Sequence, residues 1–197
     1  MPTQVRLFIS AGPNEDPTRE LLGRALAELP VNVGWVIKRT PDVDSVAECH
    51  LFVVVLGIDI SAPVGLEVWW ARRTEKPIFG YLSMTNRTPA GQVFVQENAG
   101  LDWTRWADLA ALRREFLKDI SRFLLGHPDR YGLTLIEGET LRGFLGALEK
   151  ASAVASATPR EGEPTPLSKA TGAGGGGVIL APGKDTVPGA RLIGDDE

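Results

Sequence analysis

Glu67 is the residue whose neighbours most favour chemistry. Val64, Leu66, Val68, Trp69 and Trp70 surround it in sequence, so its carboxylate is expected to be partly desolvated and primed. The plainer reading is a carboxylate in the first turn of a helix, facing water and favoured by the positive end of the macrodipole. Two loops could build a site around it, Ser10 to Asp16 and Gly57 to Glu67. In the first, Gly12 lets a ligand approach the backbone, and the helix start that follows favours anions. Trp69 and Trp70 are adjacent and cannot both face the same way on a helix. One belongs to the core, while the other stacks a flat ring or covers a neighbouring subunit, with core or interface the simpler role for each.

Other chemistries lack their residues. One cysteine, Cys49, and two isolated histidines, His50 and His127, make no zinc spacing, and no metal is expected. No Gly-x-Ser-x-Gly elbow is present. Gly172 to Gly177 satisfies Gly-x-Gly-x-x-Gly, but it follows no strand and opens no helix. Gly183-Lys184 is followed by Asp185 where a P-loop needs Ser or Thr.

The positioning elements follow from apolar spacing. Val5 to Ser10 is a short apolar run ended by turn formers, and the first strand. Asp16 as N-cap and Pro17 at the first helical position open a helix carrying Leu21, Leu22, Ala25, Leu26 and Leu29 until Pro30. Val31, Val33, Trp35 and Ile37 alternate as a second strand. After a turn at Pro41, Val43 to Cys49 has room for one short helix. Leu51 to Leu56 is continuously apolar, as in a strand covered on both faces. A helix from Val64 to Thr74 and a strand from Ile78 to Leu82 come next. Ser83 to Trp103 reads as irregular, with a short strand at Gln92 to Val95. Amphipathic helices are expected from Trp106 to Leu125 and from Glu139 to Lys150.

Alternating strands and helices predict a three-layer α/β domain over residues 1–150, on a mostly parallel, flavodoxin-like sheet with helices on both faces. In the common order 2-1-3-4-5 the ligand crevice lies between strands one and three, where the two loops would meet. Residues 151–177, rich in Ala, Ser, Thr, Pro and Gly, read as a disordered linker. Residues 178–197 read as a flexible tail, whose Val178-Ile179-Leu180 and Leu192-Ile193 patches could serve as a short interaction motif.

A net charge of −4 argues against non-specific nucleic-acid binding, which needs clustered cations. Arg113, Arg114, Lys118 and Arg122 fall along one helix and read as its solvated face. The N-terminus lacks the pattern of a secretory signal, no apolar run reaches the ~18 residues of a membrane span, and internal disulfides are excluded. A cytoplasmic location, without membrane or nucleic-acid partners, is the expectation.

Leu7-Phe8-Ile9-Ser10, the polar turn after it and Arg19-Glu20-Leu21-Leu22 resemble the opening of a Toll/interleukin-1 receptor-like (TIR) domain. Cys49 to Gly57 resembles the third-strand region of bacterial TIR-like domains found in signalling and conflict-system proteins. Ser61 precedes Glu67 by six residues, the spacing of TIR domains that cleave NAD. Gly65-Leu66-Glu67-Val68-Trp69-Trp70-Ala71 followed by Lys76-Pro77 is also similar to the nucleophile helix of nucleoside 2-deoxyribosyltransferases. The resemblance implies a TIR-like signalling module, assembling with itself or a protein partner, whose pocket takes NAD or a nucleoside as substrate rather than as cofactor. Glu67 would act at the anomeric carbon, with Ser61 orienting the carboxylate or a ribose hydroxyl. Ser10, Ala11, Gly12, Asn14, Asp59 and Trp70 would bind substrate, with the Ser10 to Asn14 segment holding phosphate or ribose. Two residues depart from the patterns. His50 stands where an aspartate commonly opens the third strand. Trp69 replaces a small residue, and an indole there would close the pocket.

Overall fold

Every residue of Leu51-Phe52-Val53-Val54-Val55-Leu56 is buried, which places this strand at the centre of the sheet. The computed structural model describes residues 4–38 and 43–157. Five strands, β1 (Gln4–Ala11), β2 (Gly34–Lys38), β3 (Leu51–Leu56), β4 (Ile78–Ser83) and β5 (Trp103–Trp106), pair in the order β2-β1-β3-β4-β5. All of these pairings are parallel. The helices are α1 (Asp16–Ala25), α2 (Val43–Glu48), α3 (Ala62–Arg73), α4 (Pro89–Glu97), α5 (Leu109–Gly126), α6 (Pro128–Tyr131) and α7 (Leu135–Ala157).

Successive strand residues point to opposite faces, and the core divides accordingly. Leu7, Ile9, Leu51, Val53, Val55 and Tyr81 meet Leu22 of α1, Phe116 and Ile120 of α5 and Leu141 of α7. Phe8, Phe52, Val54, Leu56 and Leu82 meet Val46 of α2, Val64, Val68 and Ala71 of α3 and Phe94 of α4. Phe8 and Phe52 are register partners, and their rings stack at 5.5 Å. The architecture is therefore three-layer α/β, with helices covering both faces.

Several element boundaries differ from expectation. Residues 89–97 are helix rather than an irregular segment with a strand at Gln92 to Val95. Thr88 caps this helix, its hydroxyl accepting from Gly91 N–H at 3.1 Å, and Pro89 follows at a position that needs no donor. Trp103 to Trp106 is an edge strand, and Trp106 does not open α5. Asp108 caps that helix, accepting from Ala111 N–H at 2.7 Å. A 3-10 turn at Pro13–Glu15 precedes α1, which therefore begins at Asp16 itself, and a second turn at Leu26–Glu28 ends it early. The second strand starts at Gly34 rather than Val31.

The last helix runs from Leu135 to Ala157, past both expected ends. Thr134 supplies its start, exchanging hydrogen bonds with Glu137. Its last residues are Ala-rich, and adding residues to a formed helix costs little. Three of the four basic residues of α5 are paired: Arg113 with Glu28, Arg122 with Glu149 and Lys118 with Glu115. Lys118 is only 8% exposed, which corrects its assignment to a solvated face.

No helix among the described residues is long and apolar enough to cross a membrane. The expectations for the Pro41 turn, the glycine-rich stretch at residues 172–177, Gly183-Lys184 and the tail at residues 178–197 lie outside the described residues.

Candidate functional site

Parallel pairing of β1 with β3 brings their carboxyl ends together, and the order of strands reverses between them. Beside those ends lies a cleft of about 230 Å³, lined by Gly12, Asn14 and Glu15 from the first loop and Ile58, Asp59, Ile60 and Ser61 from the second. Ligand sites for drug-sized molecules run from roughly 300 Å³ upward. The space suits a sugar or a compact nucleoside rather than a whole dinucleotide.

Glu67 lies on α3 six positions past the cleft-lining Ser61 and is 4% exposed; neither it nor Ser10 is among the residues that line the cleft. Its carboxylate does not face water. Ser10, itself 1% exposed, donates from Oγ to Glu67 Oε2 at 2.5 Å across 57 positions of sequence. Burial raises the Glu67 pKa above the ordinary 4.5, while the Ser10 hydrogen bond and the Arg19 charge pull it back. A short bond to a desolvated carboxylate is the strong kind of hydrogen bond. It fixes one oxygen and favours the anion that burial opposes.

The other expected site residues divide between two places. Gly12, Asn14, Asp59 and Ser61 line the cleft. Ser61 sits at the N-cap of α3 but makes no side-chain cap bond, and the hydroxyl on Glu67 is that of Ser10. Orientation of the carboxylate thus falls to Ser10, leaving Ser61 at the cleft surface. Ala11 is buried and its carbonyl accepts from Arg19 Nη2 at 2.6 Å. Trp70 is half-buried and packs against the α2–α3–α4 side of the core, with its Nε1 buried and unpartnered among the described residues. It is not among the cleft-lining residues. Trp69 is 51% exposed and lies over a groove toward α4 with Arg73 above its ring at 5.4 Å. The indole does not fill the cleft, contrary to the expectation drawn from its bulk.

The anion-binding expectation for the first loop also changes. Glu15 precedes α1, accepts from Thr18 Oγ1 at 2.8 Å and packs over Gly57. A Cβ at Gly57 would fall 1.9 Å from Glu15 Oε1, so a larger residue there would require the Glu15 side chain to move. At Gly12 the nearest atom to an added Cβ is Asp59 O at 3.9 Å, so no close approach demands a glycine there.

The second loop is braced from the start of α4. Thr88 Oγ1 donates to Asp59 Oδ1 at 2.5 Å, Ile60 N–H donates to the same oxygen at 2.8 Å, and Thr88 N–H donates to Ile58 O at 3.0 Å. The Thr88 bond, then that of Ile60, lowers the Asp59 pKa. Glu15 and Thr88 escaped the sequence reading. The Thr88-Pro89 helix start was the available signal for the second, and no local pattern marked the first. Among the described residues no group of three or more His, Cys, Asp or Glu could hold a metal ion.

No family model and no curated protein matches this chain. Among solved structures, the chain is similar to a CMP N-glycosidase, BcmB, from Clostridium botulinum. The two are 21% identical with a TM-score of 0.43, over 56% of this chain and 96% of the glycosidase.

Proposed function

We propose that this domain is a TIR-like regulatory module that takes a ribosyl ligand, a nucleoside or the nicotinamide riboside end of NAD, and breaks its N-glycosidic bond through Glu67. The observation that carries the reading is the buried Ser10–Glu67 hydrogen bond beside a cleft at the reversal of strand order. In the reaction the bond between C1′ and the base nitrogen breaks, its electron pair leaving with the base. The ribose becomes oxocarbenium-like, and the Glu67 anion stabilises that charge or attacks C1′. Water then supplies the hydroxyl at C1′ (displacing Glu67 where it has attacked), and its remaining proton goes to the base nitrogen of a nucleoside, or to solvent where neutral nicotinamide has left. Ser10 holds the carboxylate, Asp59 accepts hydrogen bonds from ribose hydroxyls, and the Ser61 hydroxyl donates to or accepts from them. Substitution Glu67→Gln keeps the shape and the Ser10 contact but removes the anion. Base release from a panel of nucleosides and NAD, followed chromatographically, is expected to fall at least about 100-fold in this variant with a melting temperature at neutral pH no lower than that of the parent protein. Equal release by both proteins would exclude Glu67.

A non-catalytic self-assembly domain is the second reading, favoured by the exposed Leu66, Trp69 and Val93 on α3 and α4. Apolar surface of this kind marks association sites when contiguous. Association by light scattering without base release would support it.

A further inference from the structure

We propose that Glu15 and Asp59 make the cleft select unphosphorylated nucleosides over their 5′-phosphates and, for the same reason, over NAD, whose nicotinamide ribose carries a 5′-diphosphate. The proposal rests on the reading of the cleft as a ribosyl site. Its ground is the charge of the lining. Both ionisable residues that face the space, Glu15 and Asp59, are carboxylates, and carboxylates are anionic at neutral pH. Among the described residues no lysine or arginine lines it.

The cations nearest in the chain are engaged elsewhere. Arg19 donates to Ala11 O and pairs with Asp16, and Arg87 donates to Ser83 O. The starts of α1 and α3 oppose the carboxylates, since each helix N-terminus carries roughly half a positive charge. Two such ends offset about one of the two negative charges, and the cleft stays anionic. Moreover, Glu15 is the residue that precedes α1, and its carboxylate, held by Thr18 Oγ1, adds negative charge beside that helix start.

Both carboxylates are held still. Glu15 is tied by Thr18 and packed on Gly57. Asp59 is tied by Thr88 and Ile60. Anchored acceptors suit the paired hydroxyls of a ribose, which donate hydrogen bonds and carry no charge. A 5′-phosphate on a ligand filling this cleft would lie well inside the ~10 Å over which charges interact at moderate salt. Like charges at that range repel.

Calorimetric titration of the Glu67→Gln protein, which holds ligand without turning it over, separates the alternatives. The probes are adenosine, cytidine and their 5′-monophosphates at low ionic strength. Each nucleoside is expected to bind at least about tenfold tighter than its monophosphate. The difference should shrink at high salt and close to within about threefold in a protein also carrying Glu15→Gln and Asp59→Asn. Thermal melting verifies that each variant is folded. Monophosphates binding as tightly as nucleosides would overturn the selectivity while leaving a ribosyl site in place. A preference that persists in the combined variant would overturn the role of these two carboxylates. Binding of neither probe class would overturn the ribosyl reading, and this proposal with it.

Discussion

A carboxylate loses hydration when a fold buries it, and Glu67 recovers part of that loss from one serine hydroxyl. The balance sets its proton affinity: burial raises the pKa, and Ser10 and Arg19 lower it. A step that needs the Glu67 anion therefore fails on the acid side, with a limb above the ordinary 4.5. Ser10→Ala removes a lowering influence, so the acid limb of base release is expected to move to higher pH. A limb that stays in place would separate Ser10 from the carboxylate. The same imbalance acts on stability. The native chain holds this proton more tightly than the unfolded chain does, so its contribution to stability falls as pH rises from about 4.5 through the raised native value. The desolvation of Glu67 was legible in the sequence, because its helical neighbours are apolar. Its partner was not: Ser10 and Glu67 are 57 positions apart, and only strand pairing makes them neighbours. The same is true of Glu15 resting on Gly57.

At the scale of elements, legibility followed length and periodicity. The unbroken apolar run of β3 and the amphipathic pattern of α5 identify themselves. Strand β5 has only Trp-Thr-Arg-Trp with which to declare a period of two, too little to stand out from a loop. Helix α4 contains Val93 and Val95, whose branching favours strands, yet the cap at Thr88 and the burial of Phe94 override that preference. Thr88 serves two elements, since it caps α4 and holds Asp59. Thr88→Ala is expected to lower stability by about 1 kcal/mol, the usual cost of a lost cap, measured by urea unfolding. In the same protein the Asp59 pKa, followed by NMR, should rise toward the ordinary aspartate value as its principal hydrogen bond disappears. An unchanged Asp59 titration would show that the loop holds itself without help from the start of α4.

The whole molecule turns on the order β2-β1-β3-β4-β5. Alternating helices and strands predicted a parallel sheet, and the sheet then placed the two loops at one edge without any motif requiring it. The architecture leaves activity open, because one fold hosts many chemistries. The claim of function instead lives in the juxtaposition of a cleft with a buried acid. A crystal structure of the Glu67→Gln protein with a bound nucleoside tests that juxtaposition most directly. The account predicts the sugar among Gly12, Asn14 and Ser61, with its anomeric carbon turned toward position 67 and close enough for attack, roughly 3–3.5 Å. A sugar bound with that carbon directed away from α3, or lodged in the groove beside Trp69, would contradict it.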